Sequence, residues 1–340
     1  MTFDGVLLAS FGGPEGPDEV IPFLERVTAG RGIPRERLEV VGAHYRAFGG
    51  VSPINAQNRA LLQALRAEFD ARGIDVPLYW GNRNSAPFFA DALQNADADD
   101  RHNLLAIATS AYSSYSGCRQ YRENIAAALE EAGLAETMRV TKVTPYSSRE
   151  GFVAPFTRGV RGALAAARDR GIADSEIVVL FTTHSIPVTM EEASAGYTNQ
   201  HLAVAERVMA GQPTRWRLVF QSRSGPPQVP WLEPDVNDAL REEAAAGTRF
   251  AVIVPIGFVS DHMEVVWDLD NEAMQTAEGL GIECVRVATP GVDPAFVAAL
   301  ADLVLEARTG SVPVTDMCSI TCCANPRADL PTVPGLRSAE

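Results

Sequence analysis

Lysine is almost missing from this 340-residue chain. Lys142 stands alone beside 28 arginines, and the formal net charge is −14. A balance that acidic excludes a sequence-independent grip on nucleic acid or on anionic lipid. No apolar run approaches the length of a membrane span, so no integral membrane contact is expected. The opening MTFDGVLLASFGG lacks the basic flank and length of a secretion signal, which points to the cytoplasm. Cysteine is scarce and odd in number: Cys118, Cys284, Cys318, Cys322 and Cys323. Without an export signal, that count argues against a disulfide framework. Two phosphate-binding signatures are missing as well. SFGGPEGP after the first apolar run is not G-x-G-x-x-G, with Pro14 set against the required turn, and no G-x-x-x-x-G-K-[ST] occurs anywhere.

What is present is ordinary for a soluble enzyme, with 46% hydrophobic and 21% charged residues. A GC-rich genome accounts for most of the arginines, and some are expected to hold carboxylates in bidentate fashion. Short apolar runs alternate with amphipathic stretches. FDGVLLASF, VPLYWGN, NLLAIATSAYS and MRVTKVTPY read as buried strands in the first half; SEIVVLFTTHS, RWRLVFQS, RFAVIVPIGF and IECVRVAT do so in the second. NAQNRALLQALRAEFDARG, CRQYRENIAAALEEAG, HLAVAERVMAG, DVNDALREEAAAG, MEVVWDLDNEAMQTAEGLG and PAFVAALADLVLEART read as helices, the first stopped by its glycine. Continuous apolar strands alternating with helices predict an α/β fold of two Rossmann-like domains with parallel sheets. We place them at 1–148 and 149–308, with a polar tail at 309–340 that needs something to tie it down.

In such sheets chemistry sits beyond the carboxyl ends of the strands. Two ends are loaded. VVLFTTHSIP delivers His184, and IVPIGFVSDHMEVVWDLDNEA delivers Glu264, Asp268 and Glu272 at i, i+4 and i+8, one face of a helix. A solvated surface helix in an acidic protein is one reading of the row; its weakness is that like charges at that spacing repel and no Lys or Arg four residues on relieves them. A file of carboxylates suits a divalent cation passed inward, and His with Glu suits Fe²⁺. Two protein ligands with positions left open describe a metal being handled, unlike a closed structural site. The tail DMCSITCCANP spaces thiols C-x₃-C-C, a pattern for zinc or an iron–sulfur cluster, with Cys118 and Cys284 both open as the fourth ligand.

TTHSIP, FQSRSGPPQVPWLEPD, PIGFVSDHMEVVWDLDNEA, HYRAFGGVSPI and LLASFGGPEGP, in that family's order from about residue 4 to 308, resemble the ferrochelatase family, of the actinobacterial type that makes iron coproporphyrin. The resemblance implies insertion of Fe²⁺ into coproporphyrin III in a cleft between the two chelatase-type domains, late in haem synthesis. It assigns His184 and Glu264 to the metal, and Asp268 and Glu272 to a metal or proton path. It gives Ser52, Tyr121, Tyr45, Arg83 and Phe11 to the macrocycle or its propionates. The tail resembles the extension that binds a [2Fe–2S] cluster in some members, through Cys118, Cys318, Cys322 and Cys323, and leaves Cys284 a plain buried thiol. Phe11 departs from the tyrosine of many coproporphyrin-type relatives, which speaks against a phenolic ligand to product iron.

The alternatives are a protoporphyrin IX ferrochelatase, a cobalt or nickel chelatase of another tetrapyrrole pathway, and a porphyrin carrier, which would need no acidic file. A monomer in transient contact with neighbouring haem-pathway enzymes is expected. The metal reading requires His184 and Glu264 to converge across a gap the width of a ring.

Overall fold

The computed structural model describes residues 3–225, 228–309 and 323–335. Each of the eight apolar runs forms a strand: β1 Gly5–Ser10, β2 Leu78–Asn82, β3 Asn103–Ala108, β4 Arg139–Lys142, β5 Ile177–His184, β6 Arg215–Gln221, β7 Phe250–Val254 and β8 Glu283–Arg286. They assemble into two sheets, ordered β2-β1-β3-β4 and β6-β5-β7-β8, with every pairing parallel. Helices cover both faces, which is why the inner strands β1 and β7 are buried at every position.

The helix Ile54–Arg72 ends where the sequence places its stop: Gly73 takes the left-handed conformation at φ 65° and closes the last turn. One long helix, Glu150–Asp169, does not stand out in the sequence because Pro155 interrupts its pattern. It still buries Phe152, Phe156, Val160 and Leu164 at helical spacing, and that packing outweighs the one backbone hydrogen bond proline removes. Gly151 lets it cross the helix Pro294–Thr309 closely, since a Cβ there would lie 2.2 Å from the Ala295 carbonyl oxygen. Phe152, Phe156 and Phe296 join a single apolar core with Val6, Leu8 and Ile107 of the first sheet and Val179, Phe181 and Val252 of the second. At the same seam Arg149 grips Glu306 with both Nη atoms, at 2.6 and 2.5 Å, the bidentate pairing expected of some arginines.

The tail is tied down. Lys142 N–H donates to Pro334 O at 2.9 Å, Arg122 Nε donates to Val333 O at 2.7 Å, and Val333 enters the core behind β4. Residues 333–335 thereby run beside β4 at one edge of the first sheet. Cys318 and Cys322 lie outside the described residues. Among the described residues no helix is long and apolar enough to cross a membrane.

Candidate active site

Both sheets reverse direction at their second strand: the chain passes from β1 to one side and then to β3 on the other, and it repeats the move from β5 to β6 and then β7. The carboxyl ends of β1/β3 and of β5/β7 are therefore the crevices where ligands bind in such folds. His184 is the last residue of β5, and the acidic run follows β7.

The His184 Nδ1–H donates to the Ser185 carbonyl at 2.5 Å, which leaves Nε2 facing Glu264 Oε1 at 3.5 Å. A hydrogen bond on one ring nitrogen fixes the tautomer and aims the other, as in metal-binding imidazoles. The two groups meet directly, not across the ring-sized gap the metal reading requires. Their separation lets both reach one divalent ion at ligand distances of about 2.1 Å. Both are reachable, with side chains 31% and 46% exposed. Behind His184, the Tyr197 hydroxyl donates to the His184 carbonyl at 2.9 Å and lies 2.7 Å from Thr183 Oγ1, which in turn is 2.9 Å from His201 Nε2. Burial holds His201 neutral, lowering its pKa to about 3. Nothing in the sequence around His201 signals that support.

Electrostatics separates the carboxylates. The crevice walls partly desolvate Glu264, half-exposed as it is, and disfavour its charge, but the His184 charge and hydrogen bond prevail and lower its pKa to about 2. Burial likewise opposes an imidazolium at His184, yet Glu264 and the Ser185 carbonyl raise its pKa above the ordinary 6.5. Asp268 goes the other way: burial first, then the charges of Glu264 and Glu272, outweigh its bond from Ser222 and raise it to about 7. Glu272 is exposed at the outer end of the row and accepts from Trp267 Nε1 at 2.9 Å.

The run does not wind as the single α-helix its spacing predicts. Met263–Val265 is α-helical, Val266–Ala273 is π-helical, and Met274–Gly279 returns to α. The cause is a side chain from another strand: Gln221, at the end of β6, donates to the Glu264 carbonyl at 2.9 Å and competes with the regular backbone ladder. His262 caps the first turn, its Nδ1 accepting from Glu264 N at 3.2 Å. Ser222, held at φ 61°, donates to Asp268 Oδ2. Backbone held in this region by a serine is a strain that clusters at functional sites. Gln221 and Ser222 stand within FQSRSGPP, where their place after a strand end was the available signal.

The facing wall comes from the first sheet. Phe11 follows β1 and packs with Phe23, Tyr45 and, from the second sheet's side, Met263 and Val266. Tyr45 is buried, and its pKa is raised by burial and then by the charges of Glu264 and Asp268. Arg83 stacks 4.1 Å over the Tyr121 ring and 5.7 Å from Phe11, and donates to Gln120 Oε1 and the Ser116 carbonyl. Its Nε has no partner, and among the described residues the guanidinium meets no carboxylate. Ser52 is buried beneath Gly13, where a Cβ would lie 2.6 Å from its own. Asn55 and Ser85 bond to that loop at the Gly13 carbonyl and amide. The structure thus brings His184, Glu264, Asp268, Tyr45 and Phe11 to one crevice, with Arg83 and Tyr121 behind Phe11, Ser52 under the loop and Glu272 at the rim. Gln57 locks the two halves, its amide pairing with Asp261 N at 2.8 Å and Oδ2 at 3.4 Å. A hollow of about 1030 Å³ beside β2, lined by Leu62, Phe69, Tyr79 and Arg101, contains none of these residues.

Of the thiols, Cys118 and Cys323 are buried, and burial pushes Cys284 up to about 12, an inert thiol. Cys118 lies in a second π-helical turn, Tyr115–Arg119. Among the described residues no group of three His, Cys, Asp or Glu side chains encloses a metal position.

Two four-stranded parallel sheets in equivalent strand order, flanked by helices, make this a two-sheet α/β protein. The fold is similar to SirB from Bacillus subtilis with Fe³⁺, at TM-score 0.56 and 13% identity over 91% of this chain and 98% of that one. It is similar also to the sirohydrochlorin chelatase SirB from Bacillus subtilis subspecies spizizenii in complex with cobalt, at TM-score 0.52 and 12% identity over 90% and 95%. The chain belongs to the ferrochelatase family, whose model matches residues 3–308. It is 50% identical to the coproporphyrin III ferrochelatase of Leifsonia xyli subsp. xyli, over 99% of this chain and 95% of the relative. It is 49% identical to that of Streptomyces coelicolor, over 99% and 97%.

Proposed function

We propose that this chain inserts Fe²⁺ into coproporphyrin III to give iron coproporphyrin for haem synthesis, at the crevice where His184 and Glu264 meet. Family membership and full-length relatives bearing that name support the reaction. The observation that carries the site is the His184 Nε2 aimed at Glu264 Oε1 from a second strand end, 3.5 Å away and open to solvent.

Metallation releases two pyrrole protons for each iron taken up. Glu264, held ionised, supplies a carboxylate to Fe²⁺ as it sheds water, and His184 supplies an imidazole once its Nε2 gives up the proton it shares with Glu264. Asp268, with a pKa of about 7, is matched to accept and release protons near neutrality, and Ser222 holds it in place. Phe11 and Tyr45 offer an apolar face to the macrocycle, and the unneutralised Arg83 offers charge to a propionate. Glu272 extends the anionic path to the surface.

The tail thiols Cys318, Cys322 and Cys323 with Cys118 are read as the ligands of a [2Fe–2S] cluster. The described donors suit such a group: Cys118 and Cys323 are soft and buried, and the amine of Lys142 lies 3.5 Å from Cys118 Sγ. When bound, the cluster supplies one-electron redox chemistry and cross-links the tail to the first sheet. The hydrogen bonds of 332–334 hold the end of that tail against the first sheet.

Anaerobic incubation with Fe²⁺ and coproporphyrin III, followed by absorbance, tests the reaction, with protoporphyrin IX beside it. Coproporphyrin turnover is expected to be the faster. His184→Ala should abolish iron insertion while porphyrin binding stays measurable, and near-normal turnover in that variant would end the reading of the site.

A further inference from the structure

The only lysine in the chain is also one of its most deeply buried side chains, 2% exposed at the end of β4. Its Nζ donates to the Val143 carbonyl at 2.9 Å and to Cys118 Sγ at 3.5 Å, and among the described residues it forms no ion pair with a carboxylate. A buried cation without a counter-charge is strongly disfavoured. The buried carboxylate of the helix that follows Cys118 is already engaged: Glu123 accepts from Arg119 Nε at 3.1 Å, the Tyr115 hydroxyl at 3.0 Å and Asn325 Nδ2 at 3.1 Å. Sulfur is the remaining acceptor. Elsewhere in the chain every basic position is arginine, whose planar fork demands several acceptors in a plane, whereas a single amine presents a compact point charge. The backbone of the same residue holds the tail, through its N–H to Pro334 O at 2.9 Å. One residue therefore touches both the upstream thiol and the segment that follows the downstream ones.

We propose that Lys142 is a positioning residue for a negatively charged sulfur centre at Cys118, and that its N–H···S bond and charge raise the reduction potential of that centre. The inference rests on the cluster reading above and adds a residue that sets the cluster's properties. Thiolates and sulfides give such a group net negative charge, reduction adds more, and an adjacent donor with positive charge favours the reduced form.

The full-length protein tests this. Iron and acid-labile sulfide are first measured in the wild type, and then the cluster is titrated redox-wise by visible absorbance in wild type and Lys142→Met. The variant is expected to shift the reduced-to-oxidised ratio at least tenfold towards oxidised at a fixed potential, a fall of 59 mV for a one-electron couple. An unchanged midpoint overturns the proposal. Should Lys142→Met fail to fold, stability decides. Removing the sulfur leaves the lysine without its partner, so Cys118→Ala/Lys142→Met should resist urea better than Cys118→Ala alone. The opposite order, or equal stability, overturns the proposal. A wild type without iron or sulfide removes the cluster reading, and the same stability comparison then decides whether Lys142 answers a charge on Cys118.

Discussion

The two sheets share strand order and parallel pairing, yet their crevices are built for opposite tasks. Beyond β1 and β3 the side chains are aromatic or cationic: Phe11, Tyr45 and Tyr121, with Arg83 stacked between rings and unneutralised. Beyond β5 and β7 they are two imidazoles, His184 and His262, and the carboxylates Glu264, Asp268 and Glu272, with a serine and a glutamine holding them. One topology thus presents a surface suited to a flat organic anion and, facing it, a surface suited to a divalent cation and protons. The pairing of unlike crevices, more than either alone, separates a metal inserter from a porphyrin carrier. A carrier would need only the first.

The sharpest way to break that division is Glu264→Gln, which keeps shape and removes the charge. If the second crevice alone does the chemistry, iron insertion should fall by about 10²-fold or more, since even the groups that hydrogen-bond to metal ligands are worth about 10–100-fold, while porphyrin affinity holds. Loss of porphyrin binding with unchanged turnover of bound porphyrin would reverse the assignment. The mirror experiment is Arg83→Met. Losing a charge-assisted contact worth about 1.5–3 kcal/mol should raise the KM for coproporphyrin by one to two orders of magnitude and leave kcat nearly intact. An unchanged KM would remove Arg83 from the propionate site.

Much of this contrast was legible in the sequence because it depends on local order. Apolar runs become strands whatever surrounds them, and strand ends in parallel sheets point to ligand sites, so His184 and the acidic row could be found from TTHSIP and SDHMEVVWDLDNEA. What the sequence hid arises from contacts between distant segments. The π-winding of Val266–Ala273 depends on the amide of Gln221 reaching over from β6. The burial of Lys142 against Cys118 depends on the packing of a strand end against a helical turn 24 residues earlier. The helix Glu150–Asp169 was obscured by a proline whose cost only the shared core offsets. The direct meeting of His184 with Glu264 likewise depends on how β5 and β7 pair.

The smallest expected effect concerns the carboxylate that differs most from its neighbours. Asp268 titrates near 7 in the folded chain against an ordinary value of 3.8, through burial and the charges of Glu264 and Glu272. The native state therefore holds more protons than the unfolded one between those two values, and its contribution to stability declines as pH rises through that window. Glu264, lowered to about 2, gives the opposite slope only below its ordinary 4.5, and His184, raised above 6.5, begins to lose its contribution only at the upper edge. From pH 5 to 6.5 the slope thus reports mainly on Asp268 among these three. Asp268→Asn should flatten the fall of Tm with pH in that window without changing Tm much at pH 4, where the native aspartate is already protonated. The same variant should slow iron insertion more at pH 7.5 than at pH 6, because a fixed amide cannot accept the pyrrole proton that a partly ionised carboxylate would take. A Tm profile in Asp268→Asn that parallels the wild type would mean that Asp268 is ionised throughout. The second crevice would then hold three equivalent negative charges, and its division into metal ligand and proton acceptor would have no basis.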